Sequence, residues 1–129
     1  MDNEKEKSLV KWIPEDGIII LAPGGDFNEE NATIILDKIS EIINKIPDNT
    51  KIKVVVDGNG INMADHISRR LCTEFAKKYR NNLFKCAIYK ANTITKLATQ
   101  FLISAVGREK DLKFFDNLED SLNWIKKQK

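Results

Sequence analysis

Apolar residues change their spacing several times along this chain, and the changes predict alternating strands and helices. Apolar runs at Leu9–Ile13 and Ile18–Ala22 have the length of strands, and the second run is apolar at every position, which is typical of a central strand. The sequence from Pro14 to Gly17 separates them and has the residues of a tight turn. The two strands are therefore predicted to form a hairpin.

Apolar residues take up helical spacing near residue 28 and again in three later segments. Helices alternating with single strands indicate a mostly parallel sheet with right-handed crossovers. The fold class predicted is α/β, with four βα units, (βα)4, and an added antiparallel N-terminal strand. The predicted elements after the hairpin are a helix capped by Asn28 and ended by Pro47, strand 52–57, a helix from Asn62 or Asp65 to about Tyr79, strand 84–89, a helix from Asn92 or Thr93 to Val106, strand 112–115 and a helix over 118–127 opened by Asn117.

The helix over 93–106 has the clearest helical period in the chain. Its apolar stripe is predicted to pack on the sheet, with Phe101 as a core residue whose truncation to Ala would cost about 3–5 kcal/mol. The stripe comprises Ile94, Leu97, Ala98, Phe101, Leu102, Ala105 and Val106.

Three of the strands alternate between apolar residues and residues that include Lys53, Lys85 and Lys113. A sheet covered by helices on both faces normally has continuous apolar strands, so one face is expected to be partly open. An exposed apolar patch commonly marks an interface, and this one would serve self-association, as a C2 homodimer, or partner docking. The patch residues are Val55, Ala87, Tyr89 and Phe115.

Length and charge fit one globular domain. The 129 residues are 42% hydrophobic and 31% charged, and we expect a domain over residues 9–129 after a disordered start at 1–8. The start lacks the apolar core of a signal peptide, and no apolar run could span a bilayer, so a cytoplasmic protein is expected. A net charge of +2 and 8% aromatic residues argue against nucleic-acid binding. The many Lys, Asn and Ile residues suggest an AT-rich bacterial genome.

Candidate chemistry is sparse. Cys72 and Cys86 lie in apolar stretches without metal-binding spacing, which predicts buried thiols. His66 is the single histidine and has no evident nucleophile beside it. The Asp57 to Gly60 segment lacks the glycine spacing of nucleotide-binding loops. The sequence therefore predicts no metal, no cofactor and no enzymatic activity.

Several short segments resemble the SpoIIAA-like branch of the STAS domains, the fold of the anti-sigma-factor antagonists. They are Trp12 with the Gly17-Ile18 pair, the strand end from Val54 to Asp57, the helix over 93–106 and, most specifically, the ending from Phe114 to Ile125. The resemblance implies a (βα)4 domain with one added antiparallel strand. It also implies a non-enzymatic role in protein–protein regulation.

Classical members of that family carry a phosphorylatable Ser in an Asp-Ser-Ser/Thr-Gly motif after the strand equivalent to 54–57. This chain has Asp57 at the strand end, but the segment from Gly60 to Ile67 lacks the serine pair. Ser68 follows and would lie inside the next helix. The phosphoserine switch is therefore expected to be absent.

The loop and helix start after strand 52–57 are the predicted surface for a protein partner. Loops at the carboxyl edge of a sheet can vary without disturbing the core, glycine N–H groups could allow close approach, and a helix N-terminus favours an acceptor. Asp65 would either cap that helix or mimic the charge of a phosphoserine. The alternative function is a carrier of a lipid or small apolar ligand. The predicted partner-binding residues are Asp57, Gly58, Asn59, Gly60, Asn62, Asp65 and His66.

Overall fold

The computed structural model describes residues 9–23, 28–59, 61 and 66–128. Strands and helices alternate after an N-terminal hairpin, as the sequence predicts. The elements are β1 (Leu9–Ile13), β2 (Ile18–Ala22), α1 (Glu29–Lys45), β3 (Ile52–Asp57), α2 (His66–Lys78), β4 (Leu83–Tyr89), α3 (Thr93–Ala105), a 3-10 turn (Glu109–Asp111), β5 (Leu112–Phe115) and α4 (Leu118–Lys126).

The five strands form one sheet in the order β1-β2-β3-β4-β5. The first strand pairs antiparallel with β2, and Gly17 turns the hairpin at φ +66°. Every other pair is parallel. The predicted α/β class, with four parallel strands and one added antiparallel strand, is confirmed.

Three of the helices begin at an asparagine cap. The side chains of Asn28, Asn92 and Asn117 each accept a hydrogen bond from the N–H three residues later, at 2.9, 2.8 and 2.8 Å. Each bond satisfies one of the N–H groups that a helix start leaves unpaired. The caps at 92 and 117 begin a helix within a few residues of a strand end, so the loops after β4 and β5 are short.

Helices α1, α2 and α3 cover one face of the sheet. Ile19 of β2, Ile35 of α1 and Ile52 of β3 are each at most 2% exposed in this core. Leu102 of α3 and Tyr79, just after α2, belong to the same cluster. This three-helix layer forms the larger of the two cores.

Helix α4 covers the opposite face, so the expectation of a partly open face is wrong. Val55 and Ala87 are 0% exposed and Tyr89 is 7% exposed. They pack with Ile125 of α4, and Phe115 is half-buried beside them. The lysines that suggested an open face are misleading because a Lys stem can cover apolar surface while its ammonium reaches water or, for Lys85, the Asp111 carboxylate. Self-association through these side chains would require α4 to move.

The face assigned to α3 is also wrong. Phe101 is 80% exposed, whereas Leu102 is 8% exposed and Val106 is 6% exposed. The buried face includes Thr95, 2% exposed, whose hydroxyl donates to the Ile61 carbonyl at 2.8 Å. The helix is apolar around most of its circumference, so the predicted stripe combined residues from two faces.

Candidate functional site

The loop after β3 starts in a fixed conformation. The Asp57 carboxylate accepts a hydrogen bond from the Asn59 N–H at 2.9 Å, and the Gly58 N–H donates to the Tyr89 carbonyl at 2.7 Å. The Ile61 N–H then donates to the Gly58 carbonyl at 3.1 Å. Burial raises the pKa of Tyr89, and the Asp57 charge raises it further. The bond from Gly58 to Tyr89 ties the β3 and β4 ends together, and the other two bonds hold the start of the loop.

The close fit around Gly58 corrects one part of the sequence reasoning. A Cβ at this position would lie 2.9 Å from the Ala91 Cα and 3.0 Å from the Tyr89 carbonyl oxygen. Its N–H is already bonded within the chain. Glycine is therefore needed here because two loops meet, and its N–H is not open to a partner.

The remaining predicted partner-binding residues divide into two groups. Asn59 is exposed, and His66 is exposed at the first residue of α2. Gly60, Asn62 and Asp65 lie outside the described residues, so the two roles considered for Asp65 stay predictions.

Ser68 lies on α2 and is 0% exposed. A kinase needs the hydroxyl in solution, and burial inside the helical layer withholds it. The expectation that Ser68 would lie inside the helix is confirmed.

Two adjoining apolar cavities lie between the helical layer and the sheet. Their volumes are about 200 and 160 Å³, and both are lined by Leu36, Cys72 and Leu102. Helices α2 and α3 supply much of the wall. Nothing in the sequence indicates the cavities, because apolar helix residues have the same spacing whether they touch a neighbour or border a space. The other residues lining the larger cavity are Ile39, Val54, Phe75, Ala76, Leu83, Phe84, Lys85, Cys86, Ile103, Val106, Arg108, Asp111 and Leu112.

A charged cluster borders the larger cavity. Asp111 forms ion pairs with Arg108 and with Lys85, the latter at 2.8 Å. The Arg108 guanidinium also donates to the carbonyls of Leu83 and Phe84 at 2.7 and 2.9 Å. Burial alone would raise the pKa of Asp111, but hydrogen bonds and charge from the two cations outweigh burial and lower it. The cluster joins the end of α3 to β4 and has two cations for one carboxylate.

Both cysteines line the larger cavity as free thiols. Burial raises the pKa of Cys72 and of Cys86 to about 12. Because the thiolate is the nucleophile, these side chains act as apolar wall residues rather than reactive groups. Within the described ranges, no cluster of three His, Cys, Asp or Glu residues could hold a metal ion.

None of the known family models matches this chain, and no curated protein sequence matches it. Several solved structures, including the following two, resemble it in fold. One is the crystal structure of an uncharacterised DUF3478 protein with a SpoIIAA-like fold from Shewanella loihica, with a TM-score of 0.61 and 16% identity over 92% of this chain and 91% of that one. The other is the NMR structure of the protein TM1081, with a TM-score of 0.54 and 14% identity over 92% and 88%. The chain therefore has the SpoIIAA-like, STAS-type α/β fold that its sequence motifs predicted.

Proposed function

We propose that this domain binds a small apolar molecule in the cavity between its helical layer and its sheet, without enzymatic activity. The supporting observation is the larger cavity of about 200 Å³, which is walled almost entirely by apolar side chains. An engineered apolar cavity of about 150 Å³ stays dry and binds benzene. A cavity at least this large can accept a small hydrocarbon group.

The adjoining cavity and the charged cluster indicate the shape and polarity of the ligand. The second cavity of about 160 Å³ extends the apolar space past Leu36 and Cys72. Lys85 and Arg108 leave the bordering cluster with a net positive charge after Asp111 is counted. A short aliphatic chain with an anionic end therefore fits best, and we place this role in the bacterial cytoplasm.

Methyl NMR with octanoate as the probe tests the proposal. We expect saturable shifts at the methyl groups of Leu36, Leu102 and Val106, which line the cavities, and none at Ile125 in the second core. Octanol serves as the uncharged comparison and should bind more weakly, because it lacks the carboxylate that the cations favour.

A cavity-filling variant supplies the control. Cys72→Leu adds side-chain volume where the two cavities adjoin, so it should abolish octanoate binding while keeping or raising stability. Glu74→Leu adds a leucine to the exposed surface of the same helix and should bind normally. The proposal fails if the wild type shows no saturable shifts, or if Cys72→Leu binds as the wild type does.

A second candidate function is the regulatory binding of a protein partner at the loop after β3. It is supported by the fixed start of that loop, where Asp57 holds the Asn59 N–H at 2.9 Å. A preorganised loop loses less conformational freedom on binding. In this view the domain is a regulatory module without a phosphoserine switch, and His66 adds an exposed contact.

Affinity capture from the native host tests the second candidate. Asn59→Arg and His66→Glu change exposed side chains at the loop and should lose a captured partner. Asn44→Arg changes an exposed residue of α1 and should retain it. Equal capture by all three variants would exclude the loop as the binding surface.

A further inference from the structure

Helix α3 presents an apolar face to solvent in addition to its buried face. Ile94, Leu97 and Phe101 are 68%, 63% and 80% exposed, at the i, i+3, i+7 spacing that places residues on one side of a helix. These three side chains contribute little to the core of the monomer. The other exposed residues of α3 are Thr93, Gln100, Ser104 and Ala105, none of them charged.

The stretch of chain that contains this face is strongly basic. Residues 66–113 contain eleven Lys and Arg against three Asp and Glu, a net charge of +8 in a chain whose total is +2. The remainder of the chain is therefore acidic, at −6. Exposed cations stand on α2, which packs beside α3, and on both sides of α3 in sequence. They include Arg70, Lys77, Lys78, Lys90 and Lys110.

We propose that the exposed face of α3, comprising Ile94, Leu97 and Phe101, docks on an anionic lipid bilayer. Exposed apolar helix faces bind in the bilayer interface, and binding strengthens with the apolar area buried and with the attraction of nearby basic residues to anionic lipid. The charge favours this occupant over a second copy of the chain, because two surfaces from a segment of +8 repel each other.

The geometry of α3 suits a surface contact. Its 13 residues form a rod of about 20 Å, and none of the helices in the described part of the chain is long and apolar enough to cross a membrane. The opposite side of the same helix borders the apolar cavities through Leu102. Docking does not depend on a ligand in those cavities and is a separate property of the protein.

Vesicle co-sedimentation of the full chain tests the proposal. We expect binding to vesicles of phosphatidylcholine mixed with phosphatidylglycerol, and much weaker binding to phosphatidylcholine alone. Raising the salt from about 0.1 M to about 1 M shortens the Debye length from about 10 to about 3 Å and should release most of the protein. Absence of wild-type binding to the anionic vesicles would overturn the proposal.

Paired variants separate the apolar and electrostatic contributions. Leu97→Ser with Phe101→Ser should weaken binding about tenfold or more, whereas Ile34→Ser with Leu118→Ser, at residues 40% and 37% exposed elsewhere, should not. The double change Lys90→Gln and Lys110→Gln, at exposed lysines on either side of α3 in sequence, should also weaken binding. Its control, at exposed lysines beside the second core, is Lys126→Gln with Lys127→Gln.

Further outcomes decide between occupants. The variant side chains are exposed, so far-ultraviolet circular dichroism should match the wild type. If Leu97→Ser with Phe101→Ser instead dissociates a wild-type dimer in sedimentation and leaves vesicle binding intact, the face binds a second copy and the proposal is wrong. Cys72→Leu fills the cavity but should bind vesicles normally. Octanoate titration therefore tests the cavity and vesicle sedimentation tests membrane docking, and either proposal can fail without the other.

Discussion

Two neighbouring residues of α3 provide the most direct test of the helix orientation. Phe101 is 80% exposed and Leu102 is 8% exposed, although both are large and apolar and a periodicity argument places both on the sheet. We expect Phe101→Ala to leave the free energy of unfolding almost unchanged and Leu102→Ala to lower it substantially.

The expected magnitudes follow from burial. A buried Leu truncated to Ala costs about 2–5 kcal/mol, depending on how well the site closes. Leu102 borders both cavities, so it has fewer neighbours to lose, and we expect about 2–3 kcal/mol. Substitutions at exposed positions stay within about 0.5 kcal/mol, and Ala is the better helix former than Phe, so Phe101→Ala should be neutral or slightly stabilising.

Urea unfolding followed by circular dichroism measures both values. The two variants should share the wild-type m-value and differ from each other in unfolding free energy by about 2 kcal/mol or more. A loss above about 1.5 kcal/mol for Phe101→Ala would mean that this ring is packed. In that case α3 would be rotated relative to the structure, and the exposed apolar face would not exist.

Four further predictions concern buried or closely packed groups. Alkylation of Cys72 and Cys86, whose pKa values are raised to about 12, should be about a hundredfold slower near pH 8 than that of an ordinary cysteine, after the greater nucleophilicity of a more basic thiolate is counted. It should accelerate roughly tenfold per pH unit, because only the thiolate reacts; rapid reaction near pH 8 would mean that the pKa values are not raised. The pKa of Asp111 is lowered in the folded state, so the ionised carboxylate stabilises the fold above about pH 4. This stabilisation is lost as the pH falls through the folded pKa. The difference in unfolding free energy between the wild type and Asp111→Asn should therefore shrink in acid. Gly58→Ala should cost about 1–3 kcal/mol in urea melts, because its Cβ would meet backbone atoms at 2.9 and 3.0 Å; a neutral result would mean that the two loops separate easily. Incubation with host lysate and ATP should leave Ser68, 0% exposed, without phosphate in peptide mass spectrometry, and stoichiometric phosphate there would restore a switch.

The features that the sequence predicted correctly depend on local chemistry. The caps Asn28, Asn92 and Asn117 bond to N–H groups three residues away, and the turn at Gly17 needs a positive φ. Such signals involve a few consecutive residues, so they can be found without knowing the tertiary structure. Together with the alternation of strands and helices, they were enough to predict the sheet and its single antiparallel strand.

The features that the sequence did not predict depend on contacts between distant residues. Periodicity identifies α3 as apolar but cannot say which side meets the sheet, since Phe101 and Leu102 differ only through what packs on them. Likewise, the side chain of Arg108 reaches the carbonyls of Leu83 and Phe84, more than twenty residues away in the chain. The sequence predicted only that the helix ends near Val106. The cavities could not be predicted for the same reason, because an empty space forms only where several helices and strands pack together.

The two apolar sides of α3 have different physical meanings, and the difference supports a role at a surface. Burial of Leu102 and Val106, at 8% and 6% exposure, is what folding requires of a helix in this position. The exposure of Phe101 at 80% gives the monomer almost no stability and reduces its solubility, since exposed apolar patches promote association. A soluble domain has no folding reason to combine such a face with a basic surround, because polar residues would serve the helix equally well. A helix whose buried side completes the core and whose other side is exposed and apolar, in a basic stretch of the chain, is suited to contact with a lipid surface.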